Sequence, residues 1–98
     1  MLKKYFYKGG NRCRVWFYLP KSVDADTVYL VGDFNDWDET AHPMKKKKDG
    51  SFYTDLTLDT GKAYAFRYLI DGKRWENDWD ADDYVPNDQG SENSVVRV

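Results

Sequence analysis

The stretch Val31–Thr40, VGDFNDWDET, sets Trp37 among Asp33, Asn35, Asp36 and Asp38, at what reads as the end of a strand. An indole in such polar, turn-forming company either folds back to plug the end of the domain or is held out to cover a flat ligand. Other side chains that fall just outside predicted strands raise the same question. Trp75 follows the Asp71-Gly72 turn, Trp79 and Tyr84 lie in a long Asp- and Asn-rich segment, Arg67 points off the core face of a strand, and Asn93 opens the last strand. The chemistry open to this set is recognition rather than bond making. The C–H-lined face of a pyranose covers an indole well. Its rim hydroxyls need donors and acceptors of the kind Asn, Gln, Arg and Lys supply, and rigid aromatic side chains lose little entropy when they bind.

Reactive chemistry is poorly supported. Seventeen acidic residues in 98 guarantee close carboxylate pairs, so proximity alone is no argument for glycosidic catalysis. Asp78, Asp80 and Asp82 fall at the first, third and fifth places of a calcium loop, but Asp83 and Gln89 stand where that loop needs Gly and Glu. His42 is the single histidine and has no companion for zinc. Cys13 alternates inward with Val15 and Phe17 and reads as a small buried hydrophobe. No metal or cofactor is expected. The acidic segment is expected to accept hydroxyl donors or to pair with Arg67, Lys73 and Arg74, and the run Lys45–Lys48 to be a solvated loop that protects a sheet edge.

These side chains need a scaffold, and the composition allows a modest one. Ninety-eight residues make one domain, expected to span 1–98 with residues 1–10 as a loose lead-in; the strand-like SVVRV at the end fits that extent. Hydrophobic residues are 41 % and charged residues 33 %, ordinary for a globular chain, but 17 % aromatic residues require a core or a ligand to cover them. A net charge of −2 and a pI near 5.3 favour neither nucleic acid nor membrane surfaces as partners. One cysteine permits no internal disulfide and fits a reducing compartment. The opening MLKKYFYKGG has no apolar core or cleavage site of a signal peptide, so a cytoplasmic location is expected.

Period-two alternation recurs along the chain. It aligns Cys13, Val15, Phe17 and Leu19 in RCRVWFYL, with Arg14, Trp16 and Tyr18 opposite; Trp16 and Tyr18 read as a dimer or inter-domain patch. It aligns Val28, Leu30, Gly32 and Phe34 in TVYLVGDF, Phe52, Thr54, Leu56 and Leu58 in SFYTDLTL, Tyr64, Phe66, Tyr68 and Ile70 in AYAFRYLI, and Val96 and Val98 at the end. Asp49-Gly50 and Asp71-Gly72 are hairpin dipeptides, and LDTGK is a short loop. The segment Glu76–Ser91 shows no strand pattern and reads as a long functional loop. The expectation is an all-β, immunoglobulin-like antiparallel sandwich of about seven strands.

Three blocks in order, VYLVGDFNDW, FRYLIDGKRWENDWDADDYVPND and QGSENSVVRV, resemble carbohydrate-binding module family 48. This is the early-set domain at the N-terminus of isoamylases and glycogen branching enzymes, and the glycogen-binding domain of the AMP-activated protein kinase beta subunit. The resemblance runs from Thr27 to Val98. It implies that Trp37 stacks on glucose, that Arg67 occupies the place of a strand lysine, and that Trp75 is the tryptophan after the turn, displaced by one residue. It also implies ligand roles for Ser91 and Asn93. Where the kinase-type loop carries a protruding leucine this chain has Gln89, which cannot make the same apolar contact.

Catalysis in the family belongs to a separate barrel of ~250 residues or more, so no enzymatic activity is expected of this chain. The resemblance therefore implies a non-catalytic module for α-1,4-linked glucan. An amylolytic or regulatory protein acting in trans is the further partner it suggests. The alternative is an interaction or regulatory module that has lost sugar binding and presents the same aromatics to a protein.

Overall fold

The computed structural model describes residues 1–98. In chain order the strands are β1 (Leu2–Phe6), β2 (Arg12–Leu19), β3 (Val28–Gly32), β4 (Lys45–Lys46), β5 (Phe52–Asp59), β6 (Ala63–Ile70), β7 (Arg74–Glu76), β8 (Asp83–Pro86) and β9 (Glu92–Arg97). They form two antiparallel sheets, one ordered β1-β2-β5-β4 and the other β3-β6-β9-β8, with β7 paired to β6 beside that path. The architecture is the immunoglobulin-like sandwich that the alternation predicts. No helix is long and apolar enough to cross a membrane.

The core is the meeting of the two alternating faces. Cys13, Val15, Phe17 and Leu19 of β2 pack with Val28, Leu30, Phe66, Tyr68, Ile70 and Val96 of the other sheet, and Phe17 meets Phe66 edge-on with ring centroids 5.2 Å apart. Each such side chain contributes about 1.5–3 kcal/mol by leaving water. Two polar side chains, Asp78 and Ser94, are sealed in with them. Asp78 is 1 % exposed and accepts the Tyr68 hydroxyl at 2.7 Å and the Asp80 N–H at 2.8 Å. Burial first, and then the nearby charge of Asp78, hold the Tyr68 phenol well above its usual value.

The structure departs from the alternation-based expectation at sheet edges. Leu2–Phe6, passed over as a lead-in, pairs along its length with Cys13–Phe17. The lysine run contributes Lys45 and Lys46 as an edge strand on β5. The segment read as a structureless loop contains β8, which pairs Asp83–Pro86 with Glu92–Val95, and begins with the last residue of β7. Edge strands need only one bonded neighbour and tolerate Lys, Asp and Pro, so their sequences carry little alternation. On the outer face of the first sheet, Trp16 lies under the Arg14 guanidinium, 4.6 Å from the ring centroid, and Arg14 also pairs with Asp55 at 2.9 Å.

The second sheet's outer face matters more for function. β6 pairs with β9 through Ala63–Phe66 and with β7 through Tyr68–Ile70, so on that side the neighbouring strand changes at Arg67. On its other side, Arg67 stands opposite Val31 of β3. At the end of β3, Gly32 comes so close to β6 that a Cβ there would lie 2.5 Å from the Ala65 carbonyl oxygen, 2.8 Å from Phe66 Cβ and 2.9 Å from Phe34 Cζ. Gly32→Ala is therefore expected to cost about 1–3 kcal/mol, read as a lower urea midpoint with an unchanged slope. An unaltered midpoint would show that the strand moves aside at no cost.

Candidate functional site

The turn after β3 explains how Trp37 comes to be held at the surface. Phe34 folds onto the core, with its ring centroid 5.8 Å from that of Phe17 and 6.4 Å from that of Phe66. Asn35 staples the turn. Its Oδ1 accepts the Gly32 N–H at 3.1 Å, and its amide donates to the Leu30 carbonyl at 3.0 Å and to Nδ1 of His42 at 2.8 Å. Asp36 and Trp37 then take left-handed backbone, with φ of 55° and 58°, a conformation that costs a residue with a side chain roughly 1–2 kcal/mol. This reversal throws the indole away from the core. Asp33 fixes where it lands: one carboxylate oxygen accepts the Trp37 indole N–H at 2.9 Å and the other accepts the Ala65 N–H of β6 at 2.8 Å. Trp37 is half-buried, neither an interior plug nor a free ring.

Trp37, Arg67, Trp75, Gln89 and Asn93 line one open cleft of about 570 Å³, together with Asp33, Glu39, Ala65, Pro86, Asn87 and Asp88. Trp75 stands opposite Leu69 on β7, half-buried, with the Arg67 guanidinium 5.6 Å from its ring centroid. Arg67 takes part in no hydrogen bond or ion pair, and its Nε is buried without a partner. The expected pairing of the acidic segment with Arg67 and Lys73 does not occur. Arg74 pairs with Glu76, at 3.9 Å, and donates to the Val23 carbonyl at 3.3 Å, while Asp82 takes Lys4 at 2.6 Å and Asp83 takes Arg97.

The rim opposite Trp37 is the hairpin between β8 and β9, and Asn87 organises it. Its Oδ1 accepts the N–H groups of Gln89 and Ser91 at 3.0 and 3.1 Å, and its amide donates to Asn93 Oδ1 at 3.1 Å. That last bond uses one lone pair of the Asn93 carbonyl oxygen and leaves the Asn93 amide N–H groups as donors. Ser91 and Tyr84 line an adjoining hollow beyond Pro86 and Asn87 rather than the cleft that holds Trp37. The Tyr84 hydroxyl is spent on the Asp78 carbonyl at 2.6 Å and the Ala81 N–H at 3.3 Å. Trp79 is 62 % exposed and lines neither hollow. Asp33, Asn35 and Asn87 escape a reading by residue type. The only signal for them is their place in turn-forming runs, where Asx side chains commonly bond nearby backbone.

Trp75 is positioned by the turn before it. Asp71, at φ 53°, accepts the N–H groups of Asp26 and Thr27 at 2.8 and 2.9 Å and so ties the β6–β7 turn to the start of β3. The Thr27 bond first and the Asp26 bond second hold its carboxyl below the ordinary range.

A two-sheet β-sandwich with an aromatic and polar cleft on the outer face of its second sheet is the class this geometry defines. Over residues 18–98 the chain matches the family described as the glycogen recognition site of AMP-activated protein kinase, and it belongs to that family. It is 33 % identical over 70 residues to a 1,4-alpha-glucan branching enzyme of Butyrivibrio fibrisolvens, covering 71 % of this chain and 11 % of the relative. It is 38 % identical over 71 residues to the branching enzyme of Aquifex aeolicus, covering 69 % of this chain and 11 % of the relative. Over 49 residues it is 41 % identical to the branching enzyme of Novosphingobium aromaticivorans, which is 50 % of this chain and 7 % of that enzyme. The chain thus spans about a tenth of the length of these curated relatives.

The Asp71 tether has a pH signature. A carboxyl whose folded value is depressed stabilises fully above the unfolded value of about 3.9, and that stabilisation is lost as pH falls through the folded value. The wild-type urea midpoint is expected to fall on acidification below about pH 4, and Asp71→Asn to flatten part of that fall. Parallel wild-type and mutant profiles between about pH 2 and 6 would reject the tether as a source of stability.

Proposed function

We propose that this chain is a non-catalytic module that binds α-1,4-linked glucan, such as glycogen, starch or maltooligosaccharide, in the cleft beneath Trp37. The observation that carries this reading is the convergence of Trp37, Trp75, Arg67, Gln89 and Asn93 on one open cleft in which the Arg67 side chain has no hydrogen-bond or ion-pair partner. The two indoles offer apolar surface to pyranose faces, while Arg67 and the Asn93 amide donate to rim hydroxyls. Family membership and the 1,4-alpha-glucan named for the branching-enzyme relatives support the ligand class. Shallow sites bury little area, and a Kd on the order of 10 µM to 1 mM is expected. Such a module concentrates a glucan-metabolising partner, amylolytic or regulatory, on polysaccharide. Ser91 and Tyr84, in the adjoining hollow, serve longer chains that reach across Asn87.

Affinity electrophoresis in gels containing glycogen or amylopectin tests this. Wild-type protein is expected to be retarded. Trp37→Ala and Trp75→Ala, with circular dichroism unchanged, are each expected to lower affinity at least about tenfold. Asp33→Ala, which frees the Trp37 indole, is expected to lower it less, by roughly two- to fivefold. Trp79→Ala leaves retardation intact. Wild-type protein that migrates freely in glycogen would reject the reading in favour of an interaction module that has lost sugar binding.

A further inference from the structure

Resting on the glucan reading, we propose that the cleft is selective for uncharged glucan. Arg67 offers its guanidinium fork to a neighbouring pair of sugar hydroxyls, and the carboxylates of Asp33, Glu39 and Asp88 turn away glucans that carry phosphate or carboxylate groups. Arg67 is the sole cation among the residues that line the cleft, against these three carboxylates. None of the three neutralises it. Arg67 forms no ion pair, although carboxylates elsewhere in the chain pair with Lys4, Arg14 and Arg97.

The three acids differ in how they are held. Asp33 is locked in place by the Trp37 indole and the Ala65 N–H, which orient its charge without cancelling it. Glu39 and Asp88 are exposed and form no salt bridge. A guanidinium presents parallel N–H donors on a rigid plane, which suits two acceptors side by side. A vicinal diol supplies them without adding charge. A phosphate or carboxylate would satisfy the same fork but would have to sit in the field of three like charges. In a water-like dielectric each of these opposes an anion by roughly threefold at ~7 Å. The single cation, at the ~4 Å of direct contact, recovers about fivefold against the roughly twentyfold of the three acids together, which leaves about fourfold in favour of the neutral sugar. The balance is rejection, and it must weaken as salt shortens the screening length.

The test is an NMR titration of the 15N-labelled chain, following the indole N–H signals. The probes are maltoheptaose and maltoheptaose oxidised at C6 to carboxylates. Maltoheptaose is expected to shift the Trp37 and Trp75 signals. The oxidised sugar is expected to bind roughly fourfold more weakly at ~20 mM salt, the gap closing to about twofold or less at ~0.5 M. Glu39→Gln with Asp88→Asn is expected to narrow the low-salt affinity ratio at least threefold, because it removes two of the three charges and touches neither indole. An oxidised sugar that binds as well as the neutral one at low salt, or better, would overturn the selectivity and leave glucan binding standing. So would a gap that ignores both salt and the double substitution, since it would then arise from the lost C6 hydroxyl. Maltoheptaose that moves no indole signal would overturn the glucan reading itself.

Discussion

The contact between Gly32 and β6 is the constraint from which the functional end of this domain follows. With no Cβ at Gly32, the end of β3 lies directly against the Ala65 carbonyl, and the Phe34 ring occupies the space a side chain would have taken. Phe34 can then close the core beside Phe17 and Phe66. Once Phe34 has turned inward, the chain must reverse within two residues to avoid running on into the opposite sheet. The reversal falls on Asp36 and Trp37, and neither is a glycine. The strain is about 1–2 kcal/mol at each. The hydrogen bonds from Asn35 and to Asp33, worth about 0.5–1.5 kcal/mol apiece, offset it. The same approach brings the Ala65 N–H within reach of Asp33, so one carboxylate couples the position of the indole to the central strand.

What could be read from the sequence follows from how many neighbours each segment must satisfy. β2, β3, β5 and β6 each set one face on the core and so alternate; their inward residues Cys13, Val15, Phe17, Leu30, Phe66 and Tyr68 are buried, although Val31 and Leu69 of the opposite parity are buried too. β3 is an edge as well but buries Val28, Leu30 and Val31; β1, β4 and β8 are edges with no buried residue, so their side chains are free to be Lys, Asp or Pro and carry little alternation. The lining of the cleft divides along a similar line. Trp37, Trp75 and Asn93 stand out in the sequence as residues beside turns and Arg67 as a cation off the core face of β6, and all four line the cleft. Tyr84 and Trp79 looked alike in sequence. What separates them is a hydroxyl bond from Tyr84 to the Asp78 carbonyl, which no residue pattern announces. Asp33, Asn35 and Asn87 were hidden for a related reason. Asx residues in a turn are so common that only the bonds they make distinguish a staple from a solvated side chain.

Sheet topology also decides where a ligand can enter. Because β6 exchanges β9 for β7 at Arg67, its ladder is interrupted there on one side. An interruption in the middle of a sheet gives a side chain depth without enclosure. That fits the half-buried state of Arg67, whose Nε is sealed while the residue keeps some exposure. The indoles flank it from different elements, Trp37 from a turn fixed by Asp33 and Trp75 from a short strand whose turn is tied down by Asp71. Each aromatic is thus held by a carboxylate that makes two hydrogen bonds. A shelf built this way loses little entropy on binding, which matters most where the contact area is small.

Arg67 carries the cost that such an arrangement implies. A buried N–H without an acceptor forfeits about 1–3 kcal/mol, and a guanidinium over Trp75 recovers only part of that through the ring's negative face. The acids at the cleft rim could have relieved it, yet the turns that hold Asp33, Asp88 and Glu39 keep their carboxylates off it. Local consistency is abandoned at this one point of an otherwise well-satisfied fold, beside two residues in left-handed strain. Of the four non-glycine residues with left-handed backbone, Trp37 lines this cleft and Asp36 adjoins it in the same turn, while Asp24 and Asp71 sit in turns elsewhere; strain beside an unsatisfied buried donor is the kind of local violation a fold tolerates at a site. An unpaired guanidinium among unpaired carboxylates is stable only while water fills the space between them. A polyhydroxylated ring, the ligand proposed for this cleft, would accept hydrogen bonds from the cation without adding charge of its own.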